Sequence, residues 1–199
     1  MNNFAIRRFS SSDSIDEITQ MLHHAFAPMA GLGAMCQCVD QSNARTRKRM
    51  DRGDCLVAVA DRRVVGTLTL EAPDACSPIV HYRKPTVASL HQFAVDPAYQ
   101  RGGVGRAMLK VAVMWARTRQ YAELALDTPS IALDVRSFYV HQGFELVQIV
   151  KLADRPYESA VMSRPVAFEP VAHATTARRM QALAALWSDT PSPTSGSLH

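Results

Sequence analysis

The stretch from Leu90 to Arg106, LHQFAVDPAYQRGGVGR, constrains this chain more than any other. A run rich in apolar residues ends at Asp96-Pro97, because proline cannot donate to a β-ladder and restricts the residue before it. Gly102, Gly103 and Gly105 then open a segment in which Val104, Ala107, Met108, Val111, Ala112 and Trp115 recur at helical spacing. Strand, glycine turn and helix, in that order, form an anion cradle. The first turn of a helix leaves amide N–H groups unpaired and carries partial positive charge, and glycine lets an anion approach them closely. Arg101 and Arg106 add charge of the matching sign.

Spacing narrows the anion. A nucleotide P-loop needs G-x-x-x-x-G-K-[ST], and no Lys-Ser or Lys-Thr follows these glycines. A dinucleotide fingerprint needs G-x-G-x-x-G in the first βαβ unit, whereas Gly103-Val104-Gly105 continues as Arg106-Ala107-Met108. The loop also lies mid-chain, behind four expected strands.

Those strands are residues 4–9, 56–60, 64–71 and 87–95, the middle two joined through a tight turn at Asp61-Arg62-Arg63. Ser14 and Glu17 form a capping box for a helix carrying Ile15, Ile18, Met21, Leu22, Ala25 and Phe26 on one face. Pro28, Gly31 and Gly33 are expected to end it, leaving 29–41 as an irregular loop. A second helix is expected over 42–52, and 73–85 reads as a loop with three prolines. After the long helix at 103–119 come a strand (122–127), a helix (131–141) closed by Gly143, and strands at 144–151 and 158–163. The order β-α-α-β-β-β-α-β-α-β-β implies an α/β fold of the mixed α+β kind, with helices on both faces of a central sheet. Beyond Arg164-Pro165 the composition changes. Residues 1–166 read as one domain and 167–199 as an extension, with a helix at 173–187 and a Ser/Thr/Pro-rich disordered end. That extension is a candidate for docking on the sheet edge or a second subunit, which makes a homodimer a further expectation.

Composition excludes some classes. A net charge of +4 in 199 residues is too small to imply nucleic acid but welcomes a polyphosphate. No apolar run is long enough to span a membrane, and the N-terminus lacks a secretory leader, so the cytoplasm is the default expectation. Cys36, Cys38, Cys55 and Cys76 read as reduced thiols, and neither they nor the histidines show metal-ligand spacing. The basic run Arg45-Thr46-Arg47-Lys48-Arg49 reads as a solvated helix face, with a phosphate-binding role as the alternative.

Residues 90–109 resemble the central motif of the GNAT superfamily of N-acetyltransferases: a strand ending in apolar-x-V-x-P, then [QR]-x-x-G-x-[GA]. The last six positions here are Gln100, Arg101, Gly102, Gly103, Val104 and Gly105. A second block, Ser137-Phe138-Tyr139-Val140-His141-Gln142-Gly143-Phe144, resembles the later helix of that family. The resemblance covers residues 3–166 in element order. It implies a mostly antiparallel sheet of about seven strands and acetyl-CoA as cosubstrate, with no metal. It places the pyrophosphate on amides from Gln100 to Arg106, and the pantetheine arm along the backbone of Phe93, Ala94 and Val95. Tyr139 takes the place of the acid that meets the departing thiolate. The family often has an asparagine in the later helix; here Ser137 is the substitute contact.

An alkyl amine has a pKa near 10.4, so about one in 2,500 is neutral at pH 7. A general base removes that obstacle. His91 is the candidate, with Glu71 on the neighbouring strand as the alternative; strand alternation is expected to put His91, Phe93 and Val95 on one face. Loops 29–41 and 73–85, with Met29, Leu32, Met35 and Tyr82, are expected to line an acceptor site with some apolar surface. The expected acceptor is a small amine-bearing molecule. Two alternatives stand beside it: a protein N-terminus or lysine, and a non-catalytic coenzyme A-binding sensor of the same fold.

Overall fold

A computed structural model describes residues 3–34 and 36–166. It contains seven strands, β1 (Ala5–Arg8), β2 (Asp54–Ala60), β3 (Arg63–Glu71), β4 (Val87–Val95), β5 (Glu123–Pro129), β6 (Glu145–Lys151) and β7 (Glu158–Pro165). Four α-helices accompany them: α1 (Ile15–Gly31), α2 (Asn43–Met50), α3 (Val104–Thr118) and α4 (Leu133–His141). The chain order is the one expected, and the strands form one sheet in the order β1-β2-β3-β4-β5-β7-β6. Every neighbouring pair is antiparallel except β4–β5. The extension over 167–199, with its expected helix at 173–187 and disordered end, lies outside the described residues.

The helices take both faces of the sheet. Ile18, Met21 and Leu22 of α1 and Met50 of α2 pack on Cys55, Val57 and Ala94. On the opposite face α3 lies so close that a Cβ at Gly66 would stand 2.9 Å from Met108 Sδ. Each fully buried Leu or Met in such a core contributes roughly 1.5–3 kcal/mol. Local chemistry agrees with the packing. Ser14 Oγ accepts from the Glu17 amide at 3.2 Å, and Asp16 and Glu17 complement the helix dipole. Asp61 (φ 49°) and Arg62 (φ 62°) supply the two left-handed residues of a tight hairpin between β2 and β3.

Two boundaries differ from the sequence reading. Helix α1 runs through Pro28 to Gly31, so residues 29–31 belong to the helix and not to the loop. Proline removes one donor, but the turn beyond it closes through Leu32 N–H and Ala34 N–H on Met29 O, with Gly33 left-handed at φ 75°. The 73–85 segment contains a 3₁₀ turn at Val80–Arg83, which buries Tyr82.

The sheet splits where the site lies. Strands β4 and β5 pair from Val87↔Glu123 to Leu90↔Leu126 and no further. Beyond that point β5 stays paired with β7 as far as Pro129↔Ser159, while β4 stays with β3 as far as Val95↔Gly66. Residues 91–95 and 127–129 therefore diverge, leaving a wedge between two parallel strand ends.

Candidate active site

The wedge opens a cavity of about 590 Å3. One side is the glycine loop. Arg101 (φ 61°) and Gly103 (φ 87°) are left-handed, and Gly103 caps the start of α3. Gln100, Arg101, Gly103, Gly105 and Arg106 line the cavity. Gly105 is seated so closely that a Cβ there would touch the Phe93 and Phe138 rings, each at 3.5 Å. Val104 is buried beneath the loop, and Gly102 is exposed at its tip.

Strand β4 supplies the floor. Its register on β3 pairs His91 with Thr69 and Ala94 with Thr67, so two steps on β3 span three on β4. The extra residue is a bulge, and Gln92 adopts φ 47° within it. Thr67 and Thr69 share a face, hence so do Ala94 and His91. The expected shared face for His91, Phe93 and Val95 is thereby corrected: Phe93 and Val95 face Gly105, and His91 faces the other way. Both faces still reach the cavity, because the bulge sits at its edge; His91, Gln92, Phe93, Ala94 and Val95 all line it. Gln100 Nε2 donates to Val95 O at 3.0 Å, so that carbonyl already has a partner.

His91 Nε2 lies 2.9 Å from Ser89 Oγ and 3.8 Å from Glu71 Oε2, and its ring meets the edge of Tyr82 at 5.8 Å. Burial pushes the imidazole below its usual value, against the opposing pull of the Glu71 and Asp127 charges, so it is neutral at pH 7. Glu71 is itself buried, paired with Arg52 at 3.0 Å, and is not among the lining residues.

Tyr139 enters from α4 on the opposite wall, with its ring among those of Phe93, Phe138 and Phe144. Burial, reinforced by the Asp127 charge, raises its phenol well above the usual range, so the hydroxyl keeps its proton. That hydroxyl has no hydrogen-bond partner among the described residues. Ser137, two residues earlier, is exposed and does not line the cavity; its carbonyl accepts from His141 Nδ1 at 2.7 Å.

Several lining residues escaped the sequence reading. Asp127 sits at the diverging end of β5, held by Arg155 and by Tyr82 Oη at 3.1 Å. Its position carried a signal: ligands in open sheets gather beyond the carboxyl ends of parallel strands. Arg155 and Tyr157, from the β6–β7 turn, complete that wall. Loop 29–41 contributes Cys36, Gln37 and Cys38, with Met29 from the end of α1, as expected. Leu32 is exposed and Met35 lies outside the described residues. The 73–85 segment lines nothing; its Tyr82 stands behind His91 and Asp127 instead. Arg49, expected on a solvated helix face, turns into the cavity. All four cysteines are free, and no cluster of three or more His, Cys, Asp or Glu is placed to hold a metal among the described residues.

Comparison with known proteins gives this geometry a family. Residues 18–144 match the model of the acetyltransferase (GNAT) family. Human N-acetyltransferase 8 is 30% identical over 112 residues, 56% of this chain and 47% of that protein. Human N-acetyltransferase 8B is 27% identical over 107 residues, 53% of this chain and 45% of that protein. The chain thus spans about half the length of these curated relatives. Among solved structures, the ribosomal-protein-S18-alanine N-acetyltransferase of Escherichia coli superposes with a TM-score of 0.62 at 17% identity, covering 86% of this chain and 99% of that one. Ard1 from Thermoplasma volcanium superposes with a TM-score of 0.63 at 19% identity, covering 82% and 98%. At such identities the structures speak for the fold, and the family match speaks for the chemistry. The chain belongs to the acetyltransferase (GNAT) family.

Proposed function

We propose that the enzyme transfers the acetyl group of acetyl-CoA directly to the primary amine of a small molecule. The divergence of β4 and β5 carries this reading, because it opens one cavity onto the glycine loop, His91 and Tyr139 together. The residues present fit the cosubstrate. A left-handed glycine at the helix start, the unpaired amides of α3 and two arginines suit a pyrophosphate. The unpaired edge of β4 past Leu90 suits an amide-bearing arm laid beside it as an extra strand.

Direct transfer forms one C–N bond and breaks one C–S bond. The amine nitrogen attacks the thioester carbonyl carbon, a proton leaves the nitrogen, and the sulfur departs as thiolate and is protonated. Neutral His91 accepts the first proton, directly or through one water. Tyr139, protonated and lining the same cavity, donates to the sulfur as charge builds there. Glu71 sits behind His91 and acts on it through charge, and so holds the imidazole instead of meeting the amine.

The test is thiol release from acetyl-CoA with a panel of small primary amines, alongside calorimetry of acetyl-CoA binding. Amine-dependent release that collapses in His91→Ala is the expected result. Failure to bind acetyl-CoA, or release that is indifferent to amine, overturns the reading.

A further inference from the structure

The acceptor side of the cavity holds a cation that the chemistry above does not use. Six charged side chains line the cavity: Arg49, Arg101, Arg106, Asp127, Asp134 and Arg155. Arg101 and Arg106 belong to the glycine loop, Asp134 to the start of α4, and Arg155 is paired with Asp127. Arg49 has no carboxylate partner among the described residues. Its Nη1 donates to Gln41 Oε1 at 2.7 Å and to Cys38 Sγ at 3.1 Å, and its Nε and Nη2 have no partner among those residues.

The guanidinium is nevertheless held in place. Gln41 is buried and fixed from three directions: His23 Nε2 donates to its carbonyl at 2.8 Å, and its own Nε2 donates to Thr46 Oγ1 and to Gln92 Oε1, each at 2.9 Å. Gln92 ends the chain of bonds. It lines the same cavity from the bulge beside His91, and its Nε2 donor is unpartnered. A partly buried guanidinium with free N–H groups, joined to a buried amide with an unused donor, carries only donors to offer. An unpaired buried charge or donor is costly until an acceptor arrives. A carboxylate matches the fork of arginine better than any other common ligand group. Phe26 and Met29, which also line the cavity, pack against the apolar cluster that contains Cys38, the residue Arg49 bonds.

We propose that Arg49, backed by Gln41 and Gln92, seats a carboxylate of the acceptor, which makes the acceptor an amino acid with an apolar side chain. This rests on the reading of the cavity as an amine-acetylation site. The Cys38 thiol, whose pKa is lowered by its hydrogen bond with Cys36 and by the Arg49 charge, is the competing acceptor. It occupies one nitrogen of the fork and leaves the other two.

The test is binding and needs no turnover. N-acetyl-L-phenylalanine and N-acetyl-L-leucine are titrated by calorimetry into the protein saturated with coenzyme A, beside the carboxylate-free N-acetylphenethylamine and N-acetyl-3-methylbutylamine. The carboxylates are expected to bind about 10- to 100-fold more tightly, the usual range for hydrogen bonds to a charged group. Arg49→Gln is expected to erase that preference. Arg47→Gln, on the same helix but paired with Asp51 in solvent, is expected to keep it. Equal affinity within each matched pair, no binding of either carboxylate, or equal loss in both variants overturns the inference. If the preference holds and no amine is turned over, the acetyl-transfer reading fails and the carboxylate seat stands.

Discussion

Glu71 Oε2 lies 3.8 Å from His91 Nε2, beyond hydrogen-bond reach but near enough for its charge to act. Burial lowers the His91 pKa, and Glu71 is the largest of the charges that raise it again. The base is the neutral imidazole, so kcat/KM is expected to fall on the acid side with an apparent pKa below about 6.5. Glu71→Gln removes the opposing charge and leaves the Arg52 charge nearby with Asp74, at 3.7 Å, as its remaining carboxylate, and both effects disfavour imidazolium. The acid limb should therefore move to lower pH, with the plateau reached earlier. A pH–rate profile in which the limb stays put or rises dissociates Glu71 from His91.

Tyr139→Phe removes a hydroxyl that bonds no described residue, from a ring packed against Phe93, Phe138 and Phe144. Folding loses nothing by it, so Tm should hold within a degree or two. Because the phenol is kept protonated, its contribution belongs to the departing sulfur, and kcat should drop about 100-fold. KM for acetyl-CoA should change little. A variant with full kcat would return Tyr139 to a packing role.

Gly103 lines the cavity at φ 87°, and no neighbour stands within 4 Å of where its Cβ would be. Any L-residue there is strained by about 1–2 kcal/mol, whatever the room. Gly103→Ala should show that strain with weakened acetyl-CoA binding. Gly103→Glu adds a carboxylate against the amides at the start of α3 and should abolish binding while circular dichroism stays native. Calorimetry giving Gly103→Glu the affinity of Gly103→Ala would mean that no anion sits on those amides.

The anion cradle, the element order and the seven-strand sheet were legible because each rests on local pattern: a glycine turn, a proline stop, apolar residues at a period of two or near 3.6. The bulge was not. Alternation assumes one residue per step, and nothing in Leu90-His91-Gln92-Phe93 marks Gln92 as the residue that breaks it. That single residue decides which face His91 takes. Pro28 was read as a stop because proline usually is one, but a lost donor near a helix end is cheap when Leu32 and Ala34 close on Met29. Arg49 hid inside a basic run; its neighbour Arg47 does face solvent, and only the buried Gln41 distinguishes the two. Asp127 and Arg155 meet only because β5, β6 and β7 are adjacent, and that pairing is not a property of either segment alone.

Two glycines should respond to alanine with opposite signs. A Cβ at Gly53 would stand 2.1 Å from Leu70 O and 2.9 Å from Leu70 C, both backbone atoms of β3. Relief requires the start of β2 to move. Its first residue, Asp54, accepts from Trp115 Nε1 at 2.8 Å and Arg119 Nη2 at 2.7 Å, and pairs with Arg8. Moving it loosens β1, β2 and α3 together, so Gly53→Ala should cost about 2–4 kcal/mol, among the larger effects for one substitution. In a domain of this size that lowers Tm by roughly 5–15 °C. Gly31, the last residue of α1, has open space at its Cβ and no left-handed φ. Alanine there narrows the unfolded ensemble and should add about 0.4–1 kcal/mol. Thermal unfolding of the two variants checks both, and a Gly53→Ala protein as stable as the parent would place the start of β2 away from Leu70.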